Sequence, residues 1–242
     1  MNAMPSDTLL AAMLQEAVLA LVALVAVRFA VPDALKRCTQ SVQQRNTVRF
    51  AGITLLLTGL VGGAITILTW YFANSGNGAG FVSAVLPSAV DLMENLLLLL
   101  GICLLTGLYE ESFMRVLGIE AFERALDTKR AILASAALFA LLHVGAPDVS
   151  AGQLVLLQTA LKFGQALLFG VILGALYVRT RRLWPCAFIH AGFDVLYMTP
   201  NVLLTGTMPE TYASGAMGDT VLLAVSVLML SGIVLKIRKE IA

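Results

Sequence analysis

Two adjacent glutamates interrupt the most apolar part of the sequence. Glu110 and Glu111 end the run LLLLLGICLLTGLY, and Arg115 follows one helical turn later. Side chains four residues apart share a helix face, so Glu111 and Arg115 are predicted to form an ion pair. Glu110 points about 100° away from Glu111 and is left to face a cavity. A glutamate withdrawn from bulk water can act as a general base toward a water molecule.

The two histidines of the chain also lie in apolar segments. His143 lies in LFALLHVGAP and His190 in LWPCAFIHAGFDVLY. Phe139 and Asp194 are each four residues from one of these histidines and share its helix face. Ionisable groups inside a membrane are costly, so they point to a functional site. An imidazole can hold a water molecule or donate a hydrogen bond to an oxyanion.

Hydrolysis is therefore the predicted chemistry, and two mechanisms stay open. In the first, Glu110 activates water without a metal. In the second, a divalent metal such as zinc is bound by Glu110, His143 and His190, because two histidines and a carboxylate suit a zinc site that keeps one position for water. The HExxH signature of zincin metalloproteases is absent from the sequence.

The composition places the chain in a membrane. Of its 242 residues, 59% are hydrophobic and only 13% are charged, whereas soluble domains are about 25% charged. This is too little polar surface to cover a globule in water. The net charge of +1 and the lack of a basic block exclude nucleic acid as a predicted partner.

The predicted fold is an all-α polytopic transmembrane helix bundle of about seven spans plus a broken or interfacial segment. A span needs about 20 apolar residues. One helix over 81–119 would be about 58 Å long, so Pro87 is predicted to break it and to leave 81–90 interfacial or partly inserted. The short segments 131–144 and 183–198 either extend into their flanks or lie inside the bundle. The predicted spans are 9–31, 50–73, 92–116, 131–144, 154–178, 183–198 and 221–235.

Lysine and arginine predict the orientation. With the N-terminus outside and the C-terminus inside, 13 of the 16 Lys and Arg residues fall in inner loops and none in outer loops, as the positive-inside rule requires. This suits an integral protein of a bacterial inner (plasma) membrane, which is the predicted location, and it also suits an endoplasmic reticulum membrane. Residues 116–130 alternate charged and apolar faces, which predicts an amphipathic helix on the inner surface. Lys162 is well inside a span, where a charge needs a partner.

Three motifs resemble those of a known family. EESFMR, FALLH and HAGFD are similar to the EExxxR, FxxxH and HxxxN/D motifs of the CPBP family, in the same order. This family includes the CAAX proteases and the bacteriocin-processing intramembrane proteases, also called Abi proteins. The resemblance covers residues 96–198. It implies an intramembrane endopeptidase that cleaves a membrane-associated or prenylated peptide, or a pro-peptide, near the inner face of the bilayer.

The resemblance also implies roles for single residues. Glu110 is the base, assisted by His143, while His190 and Asp194 form the oxyanion site. Glu111, Arg115 and Phe139 support the site. Many family members have Asn at the position of Asp194, and an ionised Asp would repel an oxyanion. Asp194 is therefore protonated, orients His190 or binds a metal.

The chain is predicted to comprise N-terminal spans and an interfacial segment at 1–91, catalytic core helices at 92–200, and a C-terminal loop and last span at 201–242. Its expected partners are a peptide or protein substrate at the membrane and the lipid bilayer. A non-catalytic immunity or partner-binding protein that retains the motifs is the main alternative. A proton-coupled transporter using Glu16, Lys162 and Glu94 is weaker, because no inverted repeat is visible.

Overall fold

The protein is helical throughout the part that the computed structural model describes, which is residues 5–39, 45–74, 88–144, 150, 152–205 and 213–241. No strand occurs in these ranges, so the all-α prediction is confirmed for them. The helices are α1 Pro5–Ala30, α2 Pro32–Thr39, α3 Arg45–Asn74, α4 Ala89–Glu111, a π-helix Ser112–Ile119, α5 Glu120–Phe122, α6 Thr128–Val144, α7 Gln153–Thr180, α8 Leu183–Thr205 and α9 Met217–Ile241.

Long apolar helices make this an integral membrane protein. Within the described ranges, five helices are long and apolar enough to cross a membrane, and they coincide with five of the predicted spans. Their outward faces are apolar. On α1, for example, Leu14, Val18 and Leu21 are 58–64% exposed. The candidate spans are Thr8–Ala30, Val48–Phe72, Ala89–Phe122, Gln153–Thr180 and Met217–Ile237.

The two short predicted spans, 131–144 and 183–198, form helices α6 and α8. Helix α8 continues past the predicted end to Thr205, with Pro200 inside it. It packs mainly on α4 and α3, whereas α6 packs on α7. The number of seven spans and the orientation of the termini stay predictions.

Helix α4 begins directly after the predicted break. The Ser88 hydroxyl accepts a hydrogen bond from the Asp91 N–H at 3.2 Å, and the Asp91 carboxylate accepts one from the Ser88 N–H. This reciprocal capping satisfies donors that the first turn of a helix otherwise leaves unpaired. Pro87 and most of the predicted interfacial segment 81–90 lie outside the described residues.

The region after α4 differs from the prediction. The third span was expected to end near 116 and an amphipathic surface helix to follow over 116–130. The helix instead continues through the π-helix and α5 to Phe122, and a bend precedes α6. The expected surface helix is wrong because Val116 and Ile119 are fully buried in the core. Arg181 donates hydrogen bonds to Glu120 and Glu123 and ties this end of the helix to the start of α8.

Helices α4 and α8 cross at a glycine. A Cβ atom at Gly107 would lie 2.6 Å from the backbone oxygen of Ala187, closer than real Cβ atoms come to another atom. Only a residue without a side chain therefore allows this approach. The crossing sets the distance between Glu110 and Glu111 on α4 and His190 on α8.

Candidate active site

A cavity of about 140 Å³ lies between α4, α6, α7 and α8. It brings together the four residues predicted to be catalytic: Glu110, His143, His190 and Asp194. The remaining wall is largely aromatic and apolar. It is formed by Thr106, Phe139, Lys162, Gln165, Ala166, Phe169, Phe193, Tyr197 and Met198.

Glu110 points one carboxylate oxygen into this cavity. Its Oε2 lies 3.5 Å from His190 Nε2 and 3.9 Å from His143 Nε2. This oxygen is buried, yet no group in the described part of the chain donates a hydrogen bond to it. Buried acceptors in proteins are nearly always paired. The distances leave room for a small ligand, such as a water molecule, that bonds to the carboxylate and to an imidazole together.

His190 is held by carboxylates on both sides of its ring. Its Nδ1 is 2.8 Å from Glu111 Oε1, and because a carboxylate oxygen only accepts, Nδ1 is the donor. Its Nε2 faces Asp194 Oδ2 at 3.4 Å as well as Glu110. Phe139 and Phe169 contact the ring edge-on, with centroids at 5.8 and 5.2 Å. The ring therefore has one fixed orientation in the cavity wall.

Phe139 positions His143. The Phe139 carbonyl lies 2.9 Å from His143 Nδ1 and can only accept, so Nδ1 carries the proton and Nε2 keeps its lone pair toward Glu110. The two rings also pack with centroids 4.1 Å apart. The His143 side chain is 28% exposed, against 3% for His190. His143 is thus the wetter of the two imidazoles.

Glu111 and Arg115 form the ion pair that their spacing predicts, and neither side chain is exposed at all. Arg115 Nε lies 2.9 Å from Glu111 Oε2, although this N–H is not aligned for a hydrogen bond, and Nη2 donates to Oε1 at 3.3 Å. Arg115 also donates to Ser135 and lies over the Phe139 ring at 4.9 Å. The pair stands behind His190, outside the cavity lining, and so acts through His190.

The comparison with protein families agrees with the motifs. A family model described as type II CAAX prenyl endopeptidase Rce1-like matches residues 92–196. The match covers 105 of the 242 residues and includes all three motifs. The resemblance to CAAX proteases is thereby confirmed, and the match implies a protease. Neither the comparison with curated proteins nor that with solved structures found a match.

The cavity wall contains one charged residue that was not predicted to lie at the site. Lys162 of α7 lines the cavity, and its Nζ donates hydrogen bonds to Gln165 Oε1 at 3.0 Å and to the Tyr197 hydroxyl at 3.2 Å. The signal was present in the sequence, because a lysine inside an apolar helix is costly unless it has a function. Tyr197 and the other cavity residues on α4, α6 and α8 are distant from Lys162 in the sequence, and so its place in the site was not apparent.

The donors in the cavity fit a metal only in part. The two imidazoles and the carboxylate of Glu110 are donors of the type that zinc prefers. In the described part of the chain, however, no three His, Cys, Asp or Glu residues are grouped so that they could hold a metal ion. We therefore derive no chemical step through a metal, and metal dependence stays a prediction.

Proposed function

We propose that the chain is an intramembrane endopeptidase that hydrolyses a peptide bond of a membrane-associated substrate with water activated by Glu110. The observation that carries the proposal is the buried Glu110 Oε2, which faces both histidine Nε2 atoms and accepts no hydrogen bond from the described residues. The Rce1-like match favours a prenylated C-terminal peptide as substrate. A pro-peptide is the other substrate class that the motifs suggest.

In the proposed reaction, Glu110 takes a proton from water while the water oxygen bonds to the scissile carbonyl carbon. The carbonyl π electrons move onto oxygen and form an oxyanion. When the tetrahedral intermediate collapses, the C–N bond breaks and the proton held by Glu110 passes to the leaving nitrogen. The products are a carboxylic acid and an amine, and Glu110 returns to its starting state.

The neighbouring groups position the reactants in this scheme. His143 presents an Nε2 lone pair beside Glu110, so it orients the water by accepting its second proton in a hydrogen bond. His190 faces the oxyanion side, and Glu111 and Asp194 fix its ring. Asp194 acts through His190 in this proposal because its Oδ2 lies 3.4 Å from His190 Nε2.

The test is peptide cleavage by the full chain in proteoliposomes. The probes are a farnesylated peptide ending in a CAAX sequence, an unprenylated copy and a fluorescently labelled pro-peptide. Glu110→Gln is expected to lower kcat by about 10²–10⁴-fold, the range for a general base. Glu94→Gln is the matched control, because Glu94 lies on the same helix and is exposed away from the cavity.

Cleavage by Glu110→Gln at the wild-type rate contradicts the mechanism. Failure of the folded wild type to cleave any of the three probes favours the non-catalytic alternative. Metal content and chelator treatment test whether the reaction needs a metal ion. With Glu110 as the base, activity is expected to survive removal of bound metal; a loss that added zinc alone restores would replace this mechanism with a metal-dependent one.

A further inference from the structure

The cavity contains two carboxylates, which is unfavourable for the proposed reaction because that reaction forms a negative charge. Glu110 and Asp194 both line it, and an ionised carboxylate repels negative charge that forms nearby. Hydrolysis creates such a charge on the carbonyl oxygen. Arg115 cannot offset it, because its side chain is fully buried against Glu111 and Ser135. The fixed cation among the described residues that line the cavity is Lys162.

Lys162 is held in place rather than left on a mobile stem. Gln165 and the Tyr197 hydroxyl accept hydrogen bonds from its ammonium, and the ammonium lies 4.6 Å from the centroid of the Tyr197 ring. Lys162 lines the same cavity as Asp194 and Glu110. Preorganised donors of this kind stabilise a transition state well, because they need not reorient when charge develops.

The surroundings strengthen its electrostatic effect. Phe169, Phe193 and Met198 line the same cavity as Lys162. Coulomb interactions are stronger in such an apolar setting than in water. A lysine is also costly to keep within an apolar helix, which argues against an incidental residue.

We propose that Lys162 is a further catalytic residue, whose ammonium stabilises the oxyanion formed when water attacks the scissile carbonyl. The inference rests on the proposed function. In it, Lys162 provides the positive charge that stabilises the oxyanion, which the carboxylate of Asp194 cannot provide. Gln165 and Tyr197 are then positioning residues that aim the ammonium.

The test compares Lys162→Met and Lys162→Gln with the wild type in the proteoliposome assay. Both variants remove the charge, and Gln keeps a donor for the Gln165 and Tyr197 network. We expect kcat to fall by about 10²–10³-fold, the loss typical of one oxyanion donor, with KM changed less than about 3-fold. Lys162→Arg, which keeps the charge, is expected to retain more activity than either. Lys129→Met is the control, because Lys129 is exposed and outside the cavity.

The outcomes separate this inference from the proposed function. If Glu110→Gln is inactive but Lys162→Gln keeps the wild-type kcat, the oxyanion role is overturned and the protease stands. A rise in KM with kcat unchanged also overturns it, because Lys162 would then bind substrate and transition state equally. If Lys162→Met does not fold, the kcat of the folded Lys162→Gln decides. A fall in kcat for both neutral variants, with partial recovery in Lys162→Arg, supports it.

Discussion

The substitution Gly107→Ala should disable the site without touching a reacting group. The new Cβ atom would lie 2.6 Å from the Ala187 carbonyl oxygen, whereas ordinary contact begins at 3.4 Å. Helices α4 and α8 must therefore separate by about 0.8 Å, the difference between the two values. Overpacking of this kind typically costs about 1–3 kcal/mol in the free energy of unfolding.

The same separation lengthens the hydrogen bond that joins the two helices beside the proposed catalytic residues. His190 Nδ1 and Glu111 Oε1 are now 2.8 Å apart. An added 0.8 Å takes them to about 3.6 Å, beyond hydrogen-bond range. Displacing a reacting group by about 1 Å can cost about 10²-fold in rate, so a loss on the order of 10²-fold in kcat is expected.

The assay is cleavage of the farnesylated peptide, together with thermal unfolding in detergent. Gly192→Ala on α8 is the control, because no atom lies within 4 Å of its added Cβ. This control should keep its activity and be unchanged or slightly stabilised, since alanine is the better helix former. If Gly107→Ala has wild-type kcat and Tm, the close crossing does not set the geometry of the site and the reasoning is refuted.

The remaining predictions concern the charged pairs. Arg115→Met removes the cation beside the buried Glu111, whose carboxylate then keeps only its hydrogen bond with His190. This should cost about 3–5 kcal/mol in unfolding free energy; adding Glu111→Gln should recover part of this loss in the same melting assay, and no recovery would contradict the pair. Arg181→Gln breaks a partly exposed pair with Glu120 and Glu123, so its cost should stay below about 1 kcal/mol. The hydrogen bond to Glu123 raises the pKa of Arg181, which keeps the guanidinium cationic. Raising the pH from 6 to 9 should therefore not weaken this contact, as measured by thermal unfolding of the wild type.

Local spacing predicted the contacts made within one helix. The four-residue interval placed Glu111 against Arg115, and it placed Phe139 against His143. Such contacts depend only on helix geometry, which is the same in every sequence.

Contacts between helices were harder to predict. With the third span expected to end near 116, Glu110 would lie about 9 Å from the inner end of its helix and His143 about 18 Å from the start of its own at 131, so the two were not expected at one depth. The helix in fact continues to Phe122, about 18 Å beyond Glu110, and His143 is about 18 Å from Ala131 at the start of the apolar run of α6, so the depths agree. Gly107 was overlooked because it has no small partner one turn away on α4. Only the position of Ala187 on another helix shows why it is needed.

The full enclosure of Glu111 gives two neighbouring residues different reactivity toward chemical reagents. Glu110 opens onto the cavity, whereas Glu111 has no exposed surface. A carbodiimide that is small enough to enter the cavity should therefore modify the first carboxylate and spare the second in the folded protein. Peptide mapping of the labelled chain would then distinguish side chains that the sequence places next to each other.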